Sequence, residues 1–122
     1  VEREVIGMLT ITQGSGFQLT LKNGWTASVQ FGAGSYGSNR NAEYDAAKKE
    51  DFWEARTAEI AAWYGERERG MDNWYSFGND DQVKGWCPAD EVVEFLGMVS
   101  KLPSRKLTAS DYEPIETVVA PV

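Results

Sequence analysis

The chain of 122 residues contains no histidine and only one cysteine, Cys87. Without imidazole, no side chain has an ordinary pKa between pH 5 and 8, and Ser–His–Asp triads, Cys–His dyads and His/Cys zinc cages are excluded. A single cysteine forms no internal disulfide, which accords with a reducing compartment. Long apolar runs are missing as well. No stretch approaches the roughly 18 residues of a membrane span, and Glu2 and Glu4 stand where a secretory signal would be basic. From these absences we expect a cytoplasmic chain with no membrane association, no catalytic residues, no metal and no cofactor.

Positive charge is scarce. Twelve Lys and Arg face 19 Asp and Glu, for a net charge of −7, and fourteen acidic against six basic residues fall within 43–94. Such a field repels phosphate backbones, so direct nucleic-acid binding is disfavoured and a basic protein surface is the better electrostatic match. An acidic surplus also serves plain solubility. Aromatic side chains, by contrast, are abundant: five Trp, five Tyr and five Phe. Trp and Tyr dominate interface hot spots, and five tryptophans exceed what the core of a 13.6 kDa domain needs.

The pattern predicts an α+β fold, an antiparallel meander of about five strands with one C-terminal helix packed on the sheet. Residues 8–12 and 17–21 alternate apolar with polar around the turn-forming 13–16. Asn23-Gly24 then reads as a two-residue type I′ hairpin turn, which requires positive φ at both positions. Residues 25–31 place Trp25, Ala27, Val29 and Phe31 on one face. A glycine-rich loop follows, and residues 41–56, rich in Ala, Glu and Lys, favour a short helix. Residues 57–64 read either as continued helix or as a strand with Ala58, Ile60, Ala62 and Tyr64 on one face. A strand over 73–77 makes a second hairpin the economical choice. The helix is expected over 88–102, with Pro88 at its first position and Val92, Leu96, Val99 and Leu102 on its apolar face. Residues 1–103 are then one domain and 104–122 a tail, whose apolar end, 115–122, reads as a loosely attached terminus or, alternatively, as a strand added to a partner's edge.

The elements NGW (23–25), SVQFG (28–32), AEIAAW (58–63), NWYSF (73–77), VKGW (83–86) and PADEVVEFLGMV (88–99) together resemble a group of small bacteriophage and prophage proteins. The resemblance covers about half the chain in pieces. It implies a phage accessory protein with a strand at 57–64 and a terminal helix, carries no site residues across, and makes 41–56 look like an insertion.

Three local features offer chemistry, each with a plainer reading. Residues 32–37 fit G-x-G-x-x-G, and Arg40 beside them keeps an anion site open. The preceding strand alternates and no βαβ unit follows, so a connecting loop is the better reading. Cys87 falls at the N-cap of the helix, where the dipole favours thiolate while Asp90 and Glu91 oppose it, and a structural thiol is expected. Asp80 and Asp81, with Asn79 and Asp72, could meet a hard cation but lack calcium-loop spacing, which leaves a polar turn.

The expectation is a non-enzymatic, phage-encoded binding protein in the bacterial host cytoplasm. It would inhibit a defence component by occupying a protein surface, with homo-oligomerisation open. Trp53, Tyr36, Arg40, Trp63 and Trp74 are the candidate contacts. Alternatives are a protein that sequesters a nucleotide signal by stacking and the glycine loop, and a minor structural protein of the virion.

Overall fold

The alternating stretches form a five-stranded antiparallel sheet in the computed structural model, which describes residues 7–12, 15–32, 34–40, 54–68 and 70–112. Strands β1 (Met8–Ile11), β2 (Gly16–Thr20), β3 (Trp25–Gln30), β4 (Thr57–Tyr64) and β5 (Lys84–Pro88) lie side by side in chain order. Helix α1 (Ala89–Val99) follows β5 directly and packs on β3, β4 and β5. This is the α+β meander with one packed helix that the pattern predicts.

Register explains the core. Val29 opposes Ile60, Ala27 opposes Ala62, and Ala58 opposes Cys87, so all six share one face with Trp25. Phe95 and Val99 of α1 close over them, and every one of these side chains is buried. β4 is a strand, with Ala58, Ile60 and Ala62 buried in the core as the alternating reading requires.

Four expectations need correction. First, the β2–β3 turn is not type I′. The Gly24 amide donates to the Leu21 carbonyl at 3.0 Å, and only Gly24 is left-handed, at φ +91°. This is a three-residue loop in which a β-turn is followed by one left-handed residue. The type I′ geometry appears instead at 78–81, where Asn79 and Asp80 have φ of 51° and 61° and the Asp81 amide donates to the Gly78 carbonyl.

Second, residues 73–77 do not form a strand; only Trp74 bridges to Trp63. The segment's backbone bonds to β4 at two points, from the Tyr64 amide to the Asn73 carbonyl and from the Tyr75 amide to the Ala62 carbonyl. Tyr75 and Phe77 then turn onto Phe95, with ring centroids 5.9 and 5.4 Å from it. Burying two rings against the helix outweighs a few more ladder bonds, and β5 takes the other half of the β4 edge.

Third, the helix is shorter than 88–102. Pro88 is the N-cap rather than the first helical residue, and Cys87 lies in β5. Beyond Val99 the carbonyls are claimed by the β2–β3 loop. Asn23 Nδ2 donates to Val99 O at 2.8 Å and to Leu102 O at 3.1 Å, and the Trp25 indole donates to Pro103 O at 2.8 Å.

Fourth, the chain after Pro103 is docked as far as it is described. Leu107 packs against the core, and Tyr112, in a 3₁₀ turn over Ala109–Tyr112, lies 5.5 Å from the Tyr75 ring and accepts the Ser76 amide hydrogen bond. Arg105 grips Asp111 with both guanidinium nitrogens, and this pairing, with the Thr108 amide, holds the Asp111 carboxyl far below the usual carboxylate range.

Two substitutions test the loop-to-helix latch. Asn23→Ala leaves the Leu102 carbonyl without its donor and the Val99 carbonyl with the Leu102 amide alone, and should lower stability by about 1–2 kcal/mol. Gly24→Val should cost at least about 2 kcal/mol, because its Cβ would sit 2.7 Å from the Tyr64 ring as well as at positive φ. In urea denaturation both should lower the midpoint with the slope unchanged. Unaltered midpoints would mean that the latch contributes nothing.

Candidate functional site

The edge formed by β4 and β5 carries the irregularity that organises the site. Ala58 opposes Cys87 and Ile60 opposes Lys84, so the two residues Gly85 and Trp86 lie opposite the single residue Glu59. This is a β-bulge, and it re-aims the side chain at its centre. Trp86 has φ of 59°, a left-handed conformation that costs a bulky residue on the order of 1–2 kcal/mol. The residue is 56% exposed.

The glycine loop braces the bulge. Tyr36 O accepts the Trp86 amide at 2.7 Å, while the Tyr36 amide donates to Glu59 Oε2 at 2.8 Å. Gly85 is required by this approach, since a Cβ there would meet Tyr36 Cβ at 2.5 Å. Ser38 Oγ takes the Arg56 and Thr57 amides, and the Ser38 amide donates to Thr57 Oγ1. Tyr36 is thereby displayed at the surface, 51% exposed, with the Arg40 guanidinium 4.3 Å from its ring centroid. Tyr36 and Trp86 line a shallow depression of about 470 Å³ together with Met71, itself at positive φ, and Asp81.

The same hydrogen bonds answer the phosphate-cradle reading of residues 32–37. The Gly34 amide donates to Arg40 O, Ser35 to Gly32 O, Tyr36 to the Glu59 carboxylate, Gly37 to Ser35 O and Ser38 to Thr57 Oγ1. Each of these donors has a protein acceptor, and one acceptor is already an anion. Among the described residues of the loop, no row of amides is left for a phosphate.

Of the expected contacts, Tyr36 and Arg40 are brought together at this site. Trp63 is buried, stacked on half-buried Trp74 with centroids 5.0 Å apart, and so covers the sheet face away from α1 rather than presenting itself to a partner. Trp53 and most of the expected insertion lie outside the described residues. Trp86, which carries the site, was not among the expected contacts. An isolated glycine within a strand, here Gly85 before Trp86, is the sequence signal of a bulge that could have found it.

The remaining candidates resolve into structure. Asp72 is paired with Lys106 at 2.9 Å, and no three potential metal ligands gather among the described residues. Cys87 is buried beneath α1, and burial, with the Glu91 charge adding to it, pushes its thiol above the usual range. No helix of the described residues is long and apolar enough to cross a membrane. Comparison with known proteins finds no matching family model, no matching curated protein and no matching solved structure.

Because Cys87 is not a helix cap, serine there gains no capping bond and places a hydroxyl in the core. Cys87→Ser should cost about 1–3 kcal/mol. The native thiol should react with a soluble disulfide reagent only as fast as the fold opens. Modification of folded protein at the rate of a free thiol would contradict this.

Proposed function

We propose that this chain is a non-enzymatic binding protein that engages a partner protein through the patch of Tyr36, Met71 and Trp86. The observation that carries the reading is Trp86, a large aromatic side chain held out to solvent on a strained, braced backbone. Strain persists only where surrounding structure over-determines it, and here a loop of internally satisfied amides does so. Exposed aromatic side chains on a rigid support are what interface hot spots are made of.

The rim gives the partner's chemistry. Asp81 lines the depression and Asp80 is exposed beside it, while the Arg40 charge lies over the Tyr36 ring. An apolar or aromatic centre ringed by basic side chains is the complementary surface, and the net charge of −7 steers such a partner toward the chain. The narrower reading, inhibition of a bacterial defence component by a phage protein, has the sequence resemblance as its support.

The test couples binding to stability. In capture from bacterial extract followed by mass spectrometry of proteins and small molecules, Trp86→Ala should lose the partner retained by the unaltered chain. With that partner in hand, affinity should fall at least about tenfold, and binding should saturate at a fixed ratio and weaken with salt. Trp86→Gly should lose the partner equally while unfolding at the same or a higher temperature, since glycine relieves the backbone. Equal retention by both variants, or substrate turnover at sub-stoichiometric amounts, would overturn the proposal.

A further inference from the structure

The opposite edge of the sheet is built differently. β1 is the terminal strand, and its four residues are all exposed, with Met8 at 62%, Leu9 at 64% and Ile11 at 74%. Helix α1 contacts β3, β4 and β5 and leaves β1 and β2 outside its footprint. Sheet edges are ordinarily protected by Lys, Pro, a bulge or a cover, because an unpaired row of amides and carbonyls templates another strand. β1 has none of these among the described residues: its pairing with β2 is regular, and residues 7–12 contain neither Pro nor a charge.

The backbone orientation follows from the hairpin. The Thr12 amide donates to Gly16 O at 3.0 Å, in register with Thr10↔Gln18 and Met8↔Thr20. Bonded and non-bonded pairs alternate along an antiparallel ladder, so Met8 and Thr10 turn their N–H and C=O groups toward β2. Those of Leu9 and Ile11 point outward. The outward-facing residues are thus the same two whose side chains extend the apolar core face beyond the helix, next to Leu19 and Phe17.

We propose that this edge is a dimer interface, on which β1 of a second copy of this chain pairs antiparallel about a twofold axis at Thr10. In that register Leu9 of one copy forms a hydrogen-bonded pair with Ile11 of the other, and the symmetry repeats it. The four apolar side chains then meet on the core face, and Thr10 faces its own counterpart on the other. Shifting the axis to Leu9 would set Ile11 against Gly7, leaving that side chain without a partner. Charge selects the occupant. β1 and β2 hold no charged residue, so two copies of a −7 chain meet here without opposing their acidic surfaces. A foreign basic partner, by contrast, is drawn elsewhere.

A four-residue strand buries less than a standard interface, so the dimer is weak and reversible. The sheet order puts β5 on the edge opposite β1, so the pair carries its two Trp86 patches at its two ends. Dimerisation itself does not rest on that patch, and Trp86→Ala should leave it intact.

Sedimentation equilibrium from about 1 μM to 1 mM should show the mass rising from 13.6 kDa to twice that value and stopping there. Leu9→Lys/Ile11→Lys should remain monomeric throughout, with an unchanged circular dichroism spectrum. Ile11→Pro should do the same, because its amide faces outward and its loss breaks no bond to β2. Thr10→Cys should oxidise to a disulfide dimer at least about tenfold faster than Met8→Cys, whose counterpart across the axis is Thr12. A mass that stays at one chain, growth beyond two chains, or a dimer that survives both edge variants would each overturn the interface. Equal oxidation of the two cysteine variants would overturn the register. A monomer whose β1 instead captures an added extended peptide would assign the edge to a foreign strand and refute the second copy.

Discussion

The fold depends on the grip of the β2–β3 loop on the end of helix α1. A helix leaves its last carbonyls without intrahelical donors, and α1 has no glycine C-cap to meet them. Asn23 and Trp25 supply donors from the other layer of the structure to Leu102 and Pro103, and Asn23 joins the Leu102 amide on Val99 O. Asn23 Oδ1 at the same time accepts the Trp25 amide at 3.1 Å, so one side chain shapes its own turn and fixes the helix. Trp25 is fully buried and 5.8 Å from the Tyr64 ring, which ties the latch to β4 as well. Gly24 stands between them because Tyr64 leaves no room for a Cβ.

What the latch fixes at one end of α1 constrains the other. β5 runs into the helix through Pro88 with no intervening loop, so the placement of α1 sets the placement of β5. Cys87 must then fill the core beside Ala58, and Lys84 must oppose Ile60, with one residue too many between them. The bulge at Gly85 and Trp86 is the accommodation of that surplus. The Lys84–Glu91 ion pair spans the junction from strand to helix, and the glycine loop takes up the amide that the bulge releases. Trp86 is therefore exposed by the same constraints that make the helix pack. Surface anchors set this way are rigid, and rigidity lowers the entropy lost on binding.

This also explains what could be read in the residues and what could not. β1 to β4 were legible because half-buried strands alternate, and the helix because Val92, Phe95 and Val99 repeat at its period. β5 was not. KGWCP breaks alternation at the bulge and ends on proline, and its partner is chosen by where the helix lands. Residues 73–77 alternate well enough for a strand, yet Tyr75 and Phe77 are drawn to Phe95, a contact no local pattern encodes. At the site, Tyr36 and Arg40 stood out as large side chains on a polar loop. Trp86 did not, because its exposure comes from a backbone angle, and the pair Trp63 and Trp74 looked available until each was seen to cover the other.

The uneven covering of the sheet has a geometric origin. Five strands at about 4.8 Å spacing present a face roughly 19 Å across, while one helix with its side chains is about 10 Å wide. A single helix thus covers two or three strands, and something else must cover the rest or leave it bare. The direct β5–α1 junction and the latch on Trp25 hold α1 over β3 to β5. On the β5 side of the helix, Tyr75, Phe77, Leu107 and Tyr112 complete the apolar layer. On the β2 side Phe17 and Phe31, 6.4 Å apart, face Val92 and Leu96 across an apolar groove of about 400 Å³, which Ala55 and Arg56 also line. Beyond it lie Leu9 and Ile11. Among the described residues, the uncovered area falls on β1 and β2 because α1 and the segments after β4 and α1 are tethered to the other half of the sheet, and that hairpin has no charged side chain to make its exposure comfortable in water.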